Sequence, residues 1–226
     1  MTGAEFRTYA ARTDDANPLS IFDHDDPPAS ASAAPPACLD DDLLPALAAH
    51  AGPLVAGGAS AAARLVAGER AWVVAGGVAA GVPWHVDPFG TAAYNVLLDG
   101  AKLWAFFEPA APGNTPPGTT RDASPPPRDW FVDFEHFFRA DAAFDEPRDH
   151  AGRLSWAIQR AGDAVLLPPD TWHATLNLDA STVAYTRNVV DARCRRGVKR
   201  AARLLADDDA SLQGCLERLV RQRRAE

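Results

Sequence analysis

The feature that most limits the fold is punctuation. Between Arg70 and Val190 the apolar runs are short: "RAWVVAGG", "WHVDP", "AYNVLLDG", "KLWAFFEP" and "LSWAIQRAGDAVLLPPDTWHATLNLDASTVAYTRNVV". They are cut at Pro88–Gly90, Asp99–Gly100, Ala161–Asp163 and Asp179–Ser181. An amphipathic helix needs apolar positions at a 3.6-residue period over several unbroken turns, and these runs do not offer them. Short runs rich in Val, Trp, Phe and Tyr between turn residues predict strands, and the last run holds three of them. Many short strands with such turns predict an all-β core, closed on itself or folded as a sandwich.

The flanks read differently. Residues 1–17 form a polar lead-in with a turn or two of helix, and Pro18–Asp23 is a short strand. "LDDDLLPALAAHAG" has Asp residues suited to an N-cap and stops at Gly52, which predicts a short helix. Asp25–Ala37 and Pro112–Arg128 are Pro-rich solvated loops. From Asp191 onward Ala201, Leu204 and Leu205, then Leu212, Cys215, Leu216, Leu219 and Val220, follow helical spacing. This predicts a helical hairpin with "DDDAS" capping its second arm. The expected organisation is a lead-in over 1–17, a β-domain over 18–190 and a helical segment over 191–226. The apolar stripe of the second arm is expected to pack on the β-core or to form a homodimer.

Composition narrows the setting. A net charge of -8 weighs against a protein that coats nucleic acid. "RCRRGVKR" (193–200) reads as a solvated basic helix face. Cys38, Cys194 and Cys215 are odd in number and widely spaced, which suits free thiols in a reducing compartment and no zinc module. The first residues carry no apolar leader, and no run has the apolar length of a membrane span. The expected location is nuclear or cytoplasmic.

One strand carries chemistry. Residues two apart on a strand share a face, so His85 and Asp87 in "PWHVDPFG" can aim at one point. An imidazole and a carboxylate are two ligands of a 2-His-1-carboxylate facial triad, which holds Fe(II) and leaves positions open. The spacing alone proves little, since His24 and Asp26 repeat it in a solvated Pro/Ser/Ala loop. His173, beside Trp172 and leading into an apolar strand, is the best-placed third ligand. His50, His136 and His150 lie in helix or loop contexts. Lys102, among Leu, Trp and Phe, poses a second question. A buried ammonium needs an anion. It either snorkels or pairs with Asp99 or Glu108, or it meets the far carboxylate of a dicarboxylic co-substrate such as 2-oxoglutarate.

With these residues assembled, the chain resembles a JmjC-domain oxygenase with the cupin-type double-stranded β-helix fold, nearest the bifunctional arginine demethylase and lysyl-hydroxylase branch. "HVDPFGTAAYNVLLDGAKLWAFF" has the His-x-Asp, the Gly-Thr turn, the Asn and the Lys of that family's pattern. "GDAVLLPPDTWHATLNLD" resembles its approach to the distal His. The resemblance implies Fe(II) on His85, Asp87 and His173. It implies 2-oxoglutarate on Asn95, Lys102 and Thr186, with Asn188 near iron and substrate and dioxygen as co-substrate. It implies hydroxylation of a protein side chain, Lys or Arg, with succinate and carbon dioxide as co-products. Trp84, Trp130 and Phe131 either pack in the core or rim, the commoner role for such aromatics, or stand at the barrel mouth to meet a basic side chain. The sequence departs from the pattern at Ser20, where a Tyr is usual, and at Val82, where a Thr is usual. "LDASTVAYTRN" is one residue longer than the pattern. The family's N-terminal helical region is largely without counterpart here. The alternatives are a non-catalytic cupin-type binding module, to which Ser20 and Val82 point, and an oxygenase acting on RNA or a small molecule.

Overall fold

The computed structural model describes residues 2–15, 18–23, 42–51, 70–120, 123–133, 152–192, 194–208 and 210–223. The helix α1 (Gly3–Ala10) opens with a capping box in which the Thr2 hydroxyl accepts from Glu5 N and the Glu5 carboxylate accepts from Thr2 N. Nine strands follow among the described residues: β1 (Ser20–Asp23), β2 (Ala71–Gly76), β3 (Gly81–His85), β4 (Ala92–Asp99), β5 (Ala101–Pro109), β6 (Gly152–Arg160), β7 (Ala164–Leu167), β8 (Trp172–Asn177) and β9 (Thr182–Val189). The helix α2 (Leu43–Ala51) lies between β1 and β2, and α3 (Pro127–Asp133) between β5 and β6. The helices α4 (Arg195–Asp208) and α5 (Ala210–Arg223) come last.

The strands form two antiparallel sheets in the orders β1-β2-β9-β4-β7 and β3-β8-β5-β6. The chain crosses from one sheet to the other at β2–β3, β3–β4, β4–β5, β6–β7, β7–β8 and β8–β9. This is the jelly-roll winding of a cupin-type double-stranded β-helix. Ala93 and Leu167 of the first sheet pack against Trp104 and Phe106 of the second, closing the sandwich.

Strand parity explains why β5 is buried on both faces. Trp104 and Phe106 face the other sheet, whereas Leu103, Ala105 and Phe107 face outward, in one cluster with Trp130 and Phe131 of α3. The final long apolar run divides once more than its turn residues suggest. Pro168 and Pro169 offer no N–H to a ladder, and Asp170 adopts φ 61. The middle predicted strand therefore becomes β7 in one sheet and β8 in the other.

The C-terminal stripe is covered within the chain. Leu212, Cys215, Leu216, Leu219 and Val220 form one core with Leu43, Leu44 and Leu47 of α2 and Val198, Ala201 and Leu205 of α4. A homodimer built on these helices has to use their other faces.

Asp42 ties this helical layer to the sheet. Its carboxylate accepts from Leu44 N at 3.0 Å, capping α2, from Val190 N at 3.1 Å, and from the Arg187 guanidinium at 3.1 Å. The Asp42 side chain is only 4% exposed. Asp42→Ala strips a cap and leaves Arg187 without its carboxylate partner. The expected loss is roughly 3 kcal/mol, read as a lower urea midpoint.

Candidate metal centre and its cavity

His85 is the last residue of β3, and Asp87 lies just beyond the strand, with φ -57 and ψ 144. Asp87 thus faces the same way as His85 through an extended loop residue rather than through ladder pairing. Phe89 and Gly90 then turn the chain back with φ 54 and φ 62. Gly90 is needed for more than its φ, since a Cβ there would sit 2.1 Å from Arg200 Cγ of α4. On the other side, β8 pairs antiparallel with β3 and sets His173 directly opposite His85. The two rings lie 4.1 Å apart between centroids. One ligand atom from each of His85, Asp87 and His173 falls within 4.8 Å of the other two.

Both imidazoles are oriented from behind. His85 Nδ1 lies 2.8 Å from the Pro83 carbonyl and His173 Nδ1 lies 2.9 Å from the Thr171 carbonyl. A carbonyl only accepts, so each Nδ1 carries a proton and Nε2 is the nitrogen that each ring can offer a metal. Burial, with His85 beside it, lowers the His173 pKa to about 3, so this ring is neutral at any physiological pH. Burial raises the Asp87 pKa, opposed by His85 and by a hydrogen bond from Asn188. The Asn188 side chain also donates to Thr91 Oγ1 at 2.7 Å. Two neutral imidazoles and one carboxylate are the donor set of non-haem Fe(II).

Behind these residues lies a cavity of about 270 Å³ between the two sheets. Its walls include Asn95 of β4, Lys102 and Trp104 of β5, Thr186 and Asn188 of β9, and Val82 of β3. All seven residues predicted for metal, co-substrate and substrate therefore line one space. Thr186 pairs across the ladder with Asn95, and its hydroxyl donates to the Tyr94 carbonyl at 3.2 Å. The extra residue in its segment has not displaced it. Of the two departures, Val82 lines the cavity and Ser20 does not. Ser20 lies on β1 opposite Gly76, while Phe22, two residues on, reaches the wall.

Lys102 is 3% exposed. Neither proposed neighbour serves it: Glu108 pairs with Arg153 at 2.8 Å, and Asp99 accepts from Ser181 at 2.7 Å. Among the described residues no carboxylate meets its ammonium, which lies 5.8 Å from the Trp104 ring centroid. Desolvation lowers its pKa to about 8. Asn95 Oδ1, an acceptor, is buried without a donor among the described residues. The ammonium suits an anionic ligand small enough for the space.

The aromatic expectation is corrected for two of its three residues: Trp130 and Phe131 of α3 are 2% and 4% exposed, line neither the cavity nor the groove beside it, and pack in the core with Trp84, which is 4% exposed and also reaches the wall of that groove. Trp84 and Trp130 meet edge to face at 4.9 Å, and Trp130 Nε1 donates to the Pro117 carbonyl. Large aromatics gain more from burial than from an open rim. This wider groove, of about 680 Å³, shares His85 with the cavity and is lined by Trp84, Thr115, Ser124, Asp170, Trp172 and Arg200 among others. His24, Asp26, His136 and His150 lie outside the described residues, as does Cys38.

A jelly roll with a His-x-Asp and a distal His converging at one end of its interior defines the class of cupin-type metal-dependent oxygenase folds. The family described as "JmjC domain, hydroxylase" matches residues 72–189, and the chain belongs to it. The lysine-specific demethylase JMJ21 of Arabidopsis thaliana is 31% identical over 163 residues, 62% of this chain and 16% of that protein. The arginine-specific demethylase JMJ22 of the same plant is 29% identical over 121 residues, 52% of this chain and 22% of that protein. The bifunctional arginine demethylase and lysyl-hydroxylase psr-1 of Caenorhabditis elegans is 28% identical over 117 residues, 52% of this chain and 28% of that protein. The chain spans less than a third of the length of each of these relatives. No helix among the described residues is long and apolar enough to cross a membrane.

Proposed function

We propose that the chain is an Fe(II)- and 2-oxoglutarate-dependent dioxygenase that hydroxylates a Lys or Arg side chain of a protein. The observation that carries this reading is Lys102, a buried ammonium with no anionic partner among the described residues, in the cavity that the His85, Asp87 and His173 triad also lines. Held by that triad, Fe(II) would supply dioxygen activation coupled to oxidative decarboxylation of 2-oxoglutarate to succinate and carbon dioxide.

The chain's own residues then have distinct tasks. The Pro83 and Thr171 carbonyls fix both imidazoles, so the ligand nitrogens need no reorganisation. Lys102 receives the far carboxylate of the co-substrate, with Asn95 and Thr186 beside it. Asn188 holds Asp87 and Thr91 and so keeps the carboxylate facing the imidazoles. Leu167, Val74 and Trp104 give the cavity a mostly apolar wall that excludes bulk water. Substrate approaches through the groove that shares His85, which Trp84 and Trp172 line beside the Asp170–Arg200 ion pair. The net charge of -8 favours encounter with a basic segment over a polyanion.

The names of the plant and nematode relatives favour a second reading, in which the oxidised carbon is an N-methyl group and the outcome is demethylation. Incubation with Fe(II), ascorbate, 2-oxoglutarate and Lys- and Arg-rich peptides, plain and N-methylated, separates the two. Hydroxylation gives a mass gain of one oxygen, and demethylation gives loss of a methyl with formaldehyde. Succinate confined to RNA or small-molecule substrates would overturn the protein-substrate reading. No succinate under any condition would leave a non-catalytic binding module.

A further inference from the structure

The cavity contains a hydroxyl that the family pattern does not assign. Thr175 lies on β8 two residues after His173, on the same face, and is 3% exposed. Its Oγ1 accepts from Val82 N at 3.2 Å. A hydroxyl both accepts and donates, and no acceptor for the Thr175 O–H stands among the described residues. A buried donor left in that state is unfavourable unless something entering the cavity takes the hydrogen bond.

The ladder shows where that something would lie. Thr175 is the direct cross-strand partner of Val82 on one side and of Trp104 on the other. One pair toward the metal residues stands His173 opposite His85, and one inward-facing pair the other way stands Lys102 opposite Asn177. Thr175 is therefore midway along the same wall, between the metal residues and the unpartnered ammonium. Val82 is the position at which the resembled family usually carries a Thr. In this chain the hydroxyl stands on the adjacent strand, at the residue paired with Val82.

We infer that Thr175 is a co-substrate-binding residue: its O–H donates to the far carboxylate of 2-oxoglutarate beside Lys102, supplying the contact that Val82 cannot. Two carboxylate oxygens meet two donors, one charged and one neutral. This rests on the co-substrate reading above.

The test is anaerobic calorimetric titration of the Fe(II)-loaded full chain with 2-oxoglutarate and with 2-oxobutyrate, which lacks the far carboxylate. Thr175→Val, nearly isosteric, is expected to bind 2-oxoglutarate about tenfold or more weakly. It should bind 2-oxobutyrate as the parent does and carry the same iron. Thr175→Ser should keep the parent affinity. The exchange Val82→Thr with Thr175→Val should recover most of the loss, because it returns a hydroxyl to the same rung. If the parent binds 2-oxoglutarate and Thr175→Val binds it equally well, Thr175 is a core residue and this inference alone falls. Equal losses for both oxo acids would also overturn it. If the parent binds no 2-oxoglutarate, the co-substrate reading falls and takes this inference with it.

Discussion

An Asp87→Ala chain loaded anaerobically with Fe(II) is expected to hold essentially no iron, where the parent holds about one equivalent. The argument is one of ligand number and charge. Asp87 is the only carboxylate in the group whose ligand atoms lie within 4.8 Å of one another. Without it, a dication would face two neutral imidazoles in a cavity with a buried ammonium. The fold should survive, because Asp87 lies in a loop beyond β3 and holding its carboxyl there is itself opposed by burial. Far-UV circular dichroism and thermal unfolding check that. Iron analysis of the desalted protein reads the result, and full iron in the variant would overturn the ligand assignment.

Lys102→Met is expected to weaken 2-oxoglutarate binding by at least about a hundredfold and, at neutral pH, to stabilise the ligand-free protein. These opposite signs follow from one fact. Burial lowers the folded-state pKa from 10.5 to about 8. Below about pH 8 both folded and unfolded chains hold the proton, and the folded state bears the whole cost of an unpaired ammonium, roughly 3 kcal/mol. Between about 8 and 10.5 only the unfolded chain stays protonated. The cost then fades, and the parent gains stability relative to the variant as pH rises. The gap between variant and parent should therefore be widest below pH 8 and close by about 10.5. Co-substrate affinity moves the other way, falling as pH rises above about 8, because the carboxylate needs the charged form. Unchanged affinity in the variant, with no difference in stability, would make Lys102 an ordinary strand residue.

Much of this site was legible because strand parity and ionisable residues in apolar runs are local signals. His85, Asp87 and Lys102 each stand out as polar groups placed where a core should be, and parity alone sets Lys102, Trp104 and Phe106 on one face. The same rule could have found Thr175, two residues after His173. What it could not supply was register: that Thr175 pairs with Val82 depends on which strands become neighbours. The break between β7 and β8 was also hidden, since two prolines in an apolar run can end a strand or merely mark its edge. The aromatics at Trp84, Trp130 and Phe131 misled for a related reason. Next to His85 in sequence, Trp84 points to the opposite, outer face of the sheet, where α3 brings Trp130 and Phe131 into the same cluster.

Arg200 stands at a junction. From α4 its guanidinium reaches Asp170 at 3.2 Å, three residues before His173, while its aliphatic stem fills the space that a side chain at Gly90 would need, three residues after Asp87. One helical residue thus leans on both loops that adjoin the metal ligands, at the ends of two neighbouring strands of one sheet. The change of period at Asp191 marks a boundary in the pattern of the sequence but not in its mechanics. Exchange of the terminal helices between relatives by recombination would leave every ligand in place on paper while removing the prop that sets their spacing. Selection on the metal site must therefore reach residues that never approach the metal.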